Sequence, residues 1–248
     1  MIRTLANLLR TGHVTQDTPF PDLPAYSRGL PMVTDKPCDG CRACADACPT
    51  DAIAIDCDVV SLDRGRCVAC GECVDACPTG TIVADRRTRV AVLRREDLIL
   101  TNGPKPVLNT KAAARPSPFR GSIHIRSVST GDNASDLELQ ATGNPIFDTA
   151  RFGVHVVASP RAADCLVVTG PVARAMREPL RRCYEAMAEP RVVLAAGAAA
   201  ISGVPFEGGY AEANGVDAVL PVDVYVPGNP PHPWYLIHGL KTLMDGDV

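Results

Sequence analysis

The spacing of sulfur limits what this chain can fold into more than any other feature. CDGCRACADACPTDAI, from Cys38, and CVACGECVDACPTGTI, from Cys67, repeat one frame, C-x2-C-x2-C-x3-C-P, 29 residues apart. Nine of the eleven cysteines fall between Cys38 and Cys77. In a reducing compartment such clustering reads as metal ligation before disulfide formation. A [4Fe–4S] cube needs four thiolates at separate corners, and a C-x2-C-x2-C turn supplies three of them to one cube. The alternative, zinc, is usually held by two C-x2-C knuckles, not by a tripled one.

In two-cluster ferredoxins the fourth cysteine, followed by proline, leaves its own motif and ligates the other cube. On that pattern Cys38, Cys41, Cys44 and Cys77 hold one [4Fe–4S] cluster, and Cys67, Cys70, Cys73 and Cys48 hold the second. Pro49 and Pro78 fix the chain direction after each crossing cysteine. Clusters of this kind pass single electrons, so no catalytic acid, base or nucleophile is expected. Three cysteines remain, Cys57, Cys165 and Cys183. All three read as small buried hydrophobes, and together they are too few for a third all-cysteine cube.

The rest of the chain organises around this motif pair. Residues 1–30 read as an arm. MIRTLANLLRTG puts Ile2, Leu5, Leu8 and Leu9 on one helical face, packed either on its own domain or on a partner. TPFPDLPAYSRGLP, with four prolines, then forms an extended connector. Residues 31–100 form the ferredoxin-like domain, with a hairpin expected in AIAIDCDVVSLDRGR. Between Pro31 and Gly80 nine acids face four bases, a local net of −5, which favours a low potential. Arg86, Arg87, Arg89, Arg94 and Arg95 follow and read first as a solvated basic face, second as a contact for an acidic partner. Residues 101–121, with four prolines, four basic residues and no acid, read as a linker or as a loop wrapped on either domain.

Residues 122–248 change to strand–helix alternation. Strands are expected at 154–159, 165–170, 191–197 and 218–226, and helices at 173–187 and 232–244. The near-continuous apolar runs fit a mainly parallel sheet covered on both faces. A net charge of −3 and 4% aromatic residues give no footing for nucleic acid. No stretch approaches a membrane span, and no signal-peptide core is visible, so a cytoplasmic location is expected.

The N-terminal third resembles the two-cluster ferredoxin subunit of formate hydrogenlyase and of respiratory complex I; MIRTLANLLRTG and RGLP fit the former well. The second half resembles the small, cluster-bearing subunit of those complexes, the counterpart of the complex I 20-kDa subunit. The strings that carry this are PIFDTARFGVHVVASPRAADCLVVTG, RAMREPLRR, EPRVVL and VLPVDVYVPGNPPHP. The resemblance implies a flavodoxin-like second domain and a place in a membrane-attached assembly related to group 4 [NiFe] hydrogenases or complex I. Its partners would be a hydrogenase-like or complex I-like large subunit and membrane subunits, giving peripheral attachment on the cytoplasmic face of the inner membrane. Arg174 and Arg177 could contact the large subunit, or be ordinary surface arginines.

That small subunit holds one [4Fe–4S] cluster on four cysteines, and this sequence departs at every one. The matching positions are Asp132, Ser135, Ala199 and Asn229, of which Ala199 has no donor. The resemblance therefore implies an α+β two-cluster ferredoxin domain followed by an α/β flavodoxin-like domain without its cluster. On this reading the chain is a non-catalytic electron relay whose second domain is a docking platform. Two other readings stand beside it: an interaction scaffold with structural clusters, and a reductase carrying a flavin in the second domain.

Overall fold

Alternation in the first hundred residues produces short antiparallel pairs, while the continuous apolar runs further on produce a parallel sheet. The computed structural model describes residues 2–12, 18–103, 117–131 and 134–245. Most of the expected linker, and Asp132, lie outside these described residues.

Helix α1 spans Ile2–Thr11. Its Leu5, Leu8 and Leu9 are 62%, 65% and 81% exposed, so that face does not pack on the chain's own domain. Strand β1 (Leu30–Val33) pairs antiparallel with β4 (Ile82–Asp85). Between them run α2 (Ala43–Asp46), β2 (Ile53–Asp56), β3 (Val59–Asp63) and α3 (Glu72–Ala76). The isoleucine after each DACPT string opens a strand, β2 in one copy and β4 in the other. β2 and β3 form the expected hairpin, and β3 also pairs with β5 (Ile99–Thr101). Cys57 sits at the hairpin turn with a positive φ of 56° and is exposed, which corrects its reading as a buried hydrophobe. Cys165 is fully buried and Cys183 half-buried.

The second lobe holds β6 (Ile123–Ser129), α4 (Ser135–Ala141), β7 (Val154–Val156), β8 (Cys165–Thr169), α5 (Arg177–Glu185), β9 (Val192–Ala196), α6 (Ala198–Ser202), β10 (Val224–Val226) and α7 (Pro233–Asp245). The sheet runs β10-β9-β8-β6-β7, every neighbouring pair parallel. β6, the hub between β7 and β8, is not among the expected strands. Its IHIRSVS sequence alternates instead of running apolar: Ile123 and Ile125 are buried while His124 is exposed. The strand expected over 218–226 contracts to three residues, preceded by a 3-10 turn at Val216–Ala218. Leu166, Val167, Val168, Val193 and Leu194 are fully buried, as strands covered on both faces require.

The lobes share one hydrophobic core. Leu23, Leu30, Val90 and Ala91 belong to the same buried cluster as Ile123, Leu194, Leu236 and Leu240. Val92 bridges Tyr225 antiparallel, with N–H···O distances of 3.1 and 2.8 Å in the two directions, so residue 92 borders the β10 edge of the sheet. Phe20 packs its ring against Phe152, Trp234 and His238, with Arg89 above it. On another side Arg66 pairs with Glu207 at 2.6 Å, and Ser202 donates to the Gly65 carbonyl.

The expected solvated arginine face is largely engaged. Arg95 pairs with Asp63 at 2.6 Å, and Arg87 with Asp85 at 2.9 Å. Arg86 donates to the Ala25 carbonyl. Asp85 is itself buried and also takes Arg64 at 2.7 Å. Burial alone would raise the Asp85 carboxyl, but hydrogen bonds from Arg87 and Arg64 outweigh it and hold the group below its ordinary value.

His238 closes the joint between the lobes. Its Nδ1 accepts the Ala91 N–H at 3.1 Å, so that nitrogen must be unprotonated. Burial, helped by the Arg89 charge, lowers its pKa from 6.5 to about 4. Between those values the unfolded chain takes up a proton that the folded chain refuses. The joint's stability is whole above the upper value and drains away as pH falls toward the lower. The expected loss between pH 7 and pH 5 is about 2 kcal/mol from this residue. His238→Asn keeps an acceptor that does not titrate, so its thermal midpoint should fall less between those pH values than the parent's.

Candidate iron–sulfur site

Each motif copy folds the same way because each needs the same backbone reversals. In copy one the left-handed positions are Gly40, Arg42 and Asp51; in copy two they are Ala69, Gly71 and Gly80, all with φ between 49° and 87°. These are equivalent places in the frame, and at each pair one copy has glycine while the other forces a side chain into a conformation that disfavours Cβ. α2 and α3 start immediately after the second reversal of each copy.

The thiols then group across the copies. Cys44 lies close enough to Cys77 and Cys38 for their charges to act on it, and Cys41 feels Cys38. Cys67 feels Cys48 and Cys70, while Cys73 feels Cys67, Cys48 and Cys70, and more weakly Cys44. One cavity is lined by Cys48, Cys67, Cys70 and Cys73 together with Ile53 and Leu62. The crossing cysteine of each motif therefore stands with the other motif's triplet.

Backbone donors point at the sulfurs. Gly40 N–H reaches Cys38 Sγ at 3.4 Å, and Ala69 N–H reaches Cys67 Sγ at the same distance. Ala52 N–H approaches Cys48 Sγ at 3.2 Å, and Ile82 N–H approaches Cys77 Sγ at 3.5 Å. Donors so placed suit thiolates, whose charge they stabilise. Burial first, then neighbouring thiols, push Cys67 up to about 11 and Cys73 up to about 12. Iron would have to displace those protons, so loading couples to proton release. Among the described residues no three His, Cys, Asp or Glu side chains converge as one bound ion requires. Thiolates of a cube bind separate irons and do not converge on a point. None of these donors is legible from the cysteine frame, though aligning the two copies exposes the shared reversals.

Ser135, Ala199 and Asn229, three of the four positions where the family resemblance expects cysteines, gather at the carboxyl ends of the parallel strands. Ser135 opens α4 and Ala199 lies in α6, both fully buried, while Asn229 is half-buried beyond β10. A Cβ on Gly197 would stand 3.0 Å from Ser135 Oγ, 3.1 Å from the Gly228 carbonyl and 3.3 Å from the Pro231 ring. Ala198 N–H donates to the Gly228 carbonyl at 2.8 Å. The three turns are thus packed directly on one another. Arg174 and Arg177 are exposed, Arg174 donating to the Glu212 carbonyl.

Comparison with known proteins separates the two lobes. Residues 37–85 match the family described as 4Fe-4S dicluster domain, and residues 133–243 match NADH ubiquinone oxidoreductase, 20 Kd subunit. This chain is 49% identical over 120 residues to an NADH-quinone oxidoreductase subunit of Roseiflexus sp. (strain RS-1), covering 48% of this chain and 45% of that protein. To the corresponding NADH-quinone oxidoreductase subunit of Desulfovibrio desulfuricans (strain ATCC 27774 / DSM 6949 / MB) it is 50% identical over 121 residues, covering 49% of this chain and 66% of that protein. The chain spans about half the length of the first curated relatives it matches, 45%, 40% and 54% of each. Among solved structures, a chain of the membrane-bound sulfane sulfur reductase, an archaeal respiratory membrane complex, is 31% identical over 50% of this chain and 70% of that one, with a TM-score of 0.47. No helix among the described residues is long and apolar enough to cross a membrane.

The left-handed positions give a paired test. Arg42→Gly should raise the thermal midpoint of the iron-loaded chain, a gain of up to about 1 kcal/mol from relieved strain. Gly71→Ala, at the equivalent place in the other copy, should lower it by about 1 to 2 kcal/mol. Matching signs for the two variants would break the equivalence.

Proposed function

We propose that this chain is an electron-relay iron–sulfur subunit of a complex I-like oxidoreductase assembly, with its second lobe serving as a docking platform. The observation that supports the reading is that Cys48 lines one cavity with Cys67, Cys70 and Cys73, while Cys44 lies close to both Cys77 and Cys38. Cys38, Cys41, Cys44 and Cys77 would hold one [4Fe–4S] cluster; Cys67, Cys70, Cys73 and Cys48 would hold the other. When bound, each cluster supplies a one-electron store. The chain's own groups hold it, donate N–H bonds to its sulfur ligands and screen it from water.

The second lobe, in this reading, keeps the architecture of a cluster-bearing small subunit without the cluster. A strand order of 2-1-3-4-5, counted from β6 as the first strand and read from the β7 edge, supports the flavodoxin-like reading. Ser135, Ala199 and Asn229 offer no thiolate where the family resemblance expects one. Electrons would therefore leave the ferredoxin lobe without a third relay in this chain. Partners would be a large subunit and membrane subunits, with peripheral attachment at the cytoplasmic face. Kinship with formate hydrogenlyase rests on the N-terminal MIRTLANLLRTG and RGLP strings, and that with group 4 hydrogenases on both halves together.

Anaerobic purification of the whole chain should return about eight irons and eight sulfides, two cubes' worth. Cys77→Ser should cost one cluster, and Cys48→Ser the other. A count near twelve would contradict the loss of the third cluster, and zinc in place of iron would end the relay reading. Co-purification with a large subunit tests the assembly.

A further inference from the structure

We infer that Arg28, outside both cysteine motifs, sets the redox potential of the second cluster. The inference rests on the two-cluster reading and concerns how the clusters differ. Arg28 Nη1 donates to the Cys70 carbonyl at 2.8 Å, placing a guanidinium on the loop between two ligands of the second quartet. Its Cδ lies 3.5 Å from where a Gly71 Cβ would stand, so the side chain runs along that loop.

The next residue fixes the arrangement. Gly29 has φ of 63°, and a Cβ there would lie 2.0 Å from the Asp85 carbonyl oxygen. Only glycine fits, so the backbone beside Arg28 is locked against the end of β4 and the arginine is presented to Cys70 from a fixed origin.

Two other cations near the second motif are already neutralised: Arg64 pairs with Asp85 and Arg66 with Glu207. Among the described residues Arg28 has no carboxylate partner, so its charge is left to act on the cluster. The two copies differ here. On the first cluster's side Lys36 Nζ lies 3.1 Å from a would-be Gly80 Cβ, three residues past Cys77. Asp39, whose carboxylate accepts the Cys41 N–H at 3.0 Å, opposes it. The place equivalent to Asp39 in the second copy is Val68, which carries no charge. Cys41 is exposed, whereas Cys70 beneath Arg28 is half-buried. A positive charge close to a partly shielded cluster favours the added electron. Arg28 is a positioning residue: it touches a ligand's backbone, not the cluster.

The test is a redox titration of the full chain, purified anaerobically and followed by electron paramagnetic resonance, for parent, Arg28→Gln, Arg28→Lys and Lys36→Gln. Arg28→Gln should move one of the two midpoints to lower potential and leave the other in place. Lys36→Gln should move the other one, and Arg28→Lys should stay near the parent. If Arg28→Gln keeps about eight irons yet shifts neither midpoint, or both equally, the inference is overturned while the two-cluster reading survives. Should Arg28→Gln shed iron, Arg28→Lys decides. A midpoint near the parent's supports the charge, and a fall refutes it. An iron content in the parent too low for two cubes would instead sink the reading beneath.

Discussion

The crossing of one thiol from each motif into the other's quartet is the constraint on which the N-terminal lobe depends. Two short helices, α2 and α3, and two short sheets bury little apolar surface by themselves. The hydrophobic residues that do pack there, Ile53, Val60, Leu62 and Ile82, share their cluster with Cys44 and Cys73. If Cys48 ligates with copy two and Cys77 with copy one, neither copy can complete its ligand set without the other being folded. On the proposed reading, metal and core assemble as one event, and the left-handed residues are strain that metal ligation offsets.

Much of this is readable in the sequence, for a definite reason. Ligand spacing is a covalent property of the chain, so Cys38 to Cys48 and Cys67 to Cys77 announce themselves without any knowledge of packing. The hairpin between them and the closing helix α7 are equally visible, each carrying a regular period. β6 is not, because a strand with one solvated end alternates like a surface segment even when it lies between two others. The place of Cys57 escapes as well: hydrophobic character says nothing about which residue takes a two-residue turn. Arg28 and His238 are beyond sequence reasoning altogether, since each matters through a partner 42 or 147 positions away.

On the proposed reading, the second lobe keeps a scaffold whose cluster ligands are gone. Three strand ends still bring Ser135, the 197–199 turn and the 228–231 turn together, as the carboxyl edge of a parallel sheet does. Small residues meet there: the Ala199 methyl is buried, and Ser135, Gly228 and Pro231 each come close to Gly197. Such a join contributes dispersion and backbone hydrogen bonding, and supplies no soft donor to a metal. In that proposal the scaffold is what the docking platform consists of.

The bridge between Val92 and Tyr225 has a further consequence. A parallel sheet normally leaves two rows of unpaired amides at its margins, each a template for a foreign strand. Here the β10 margin meets the chain's own return from the ferredoxin lobe at Val92, and among the described residues β7 has no outer strand neighbour. β7 is three residues long and carries an exposed Val156. Strand-by-strand growth into fibres or chance dimers is thereby confined to one stunted border.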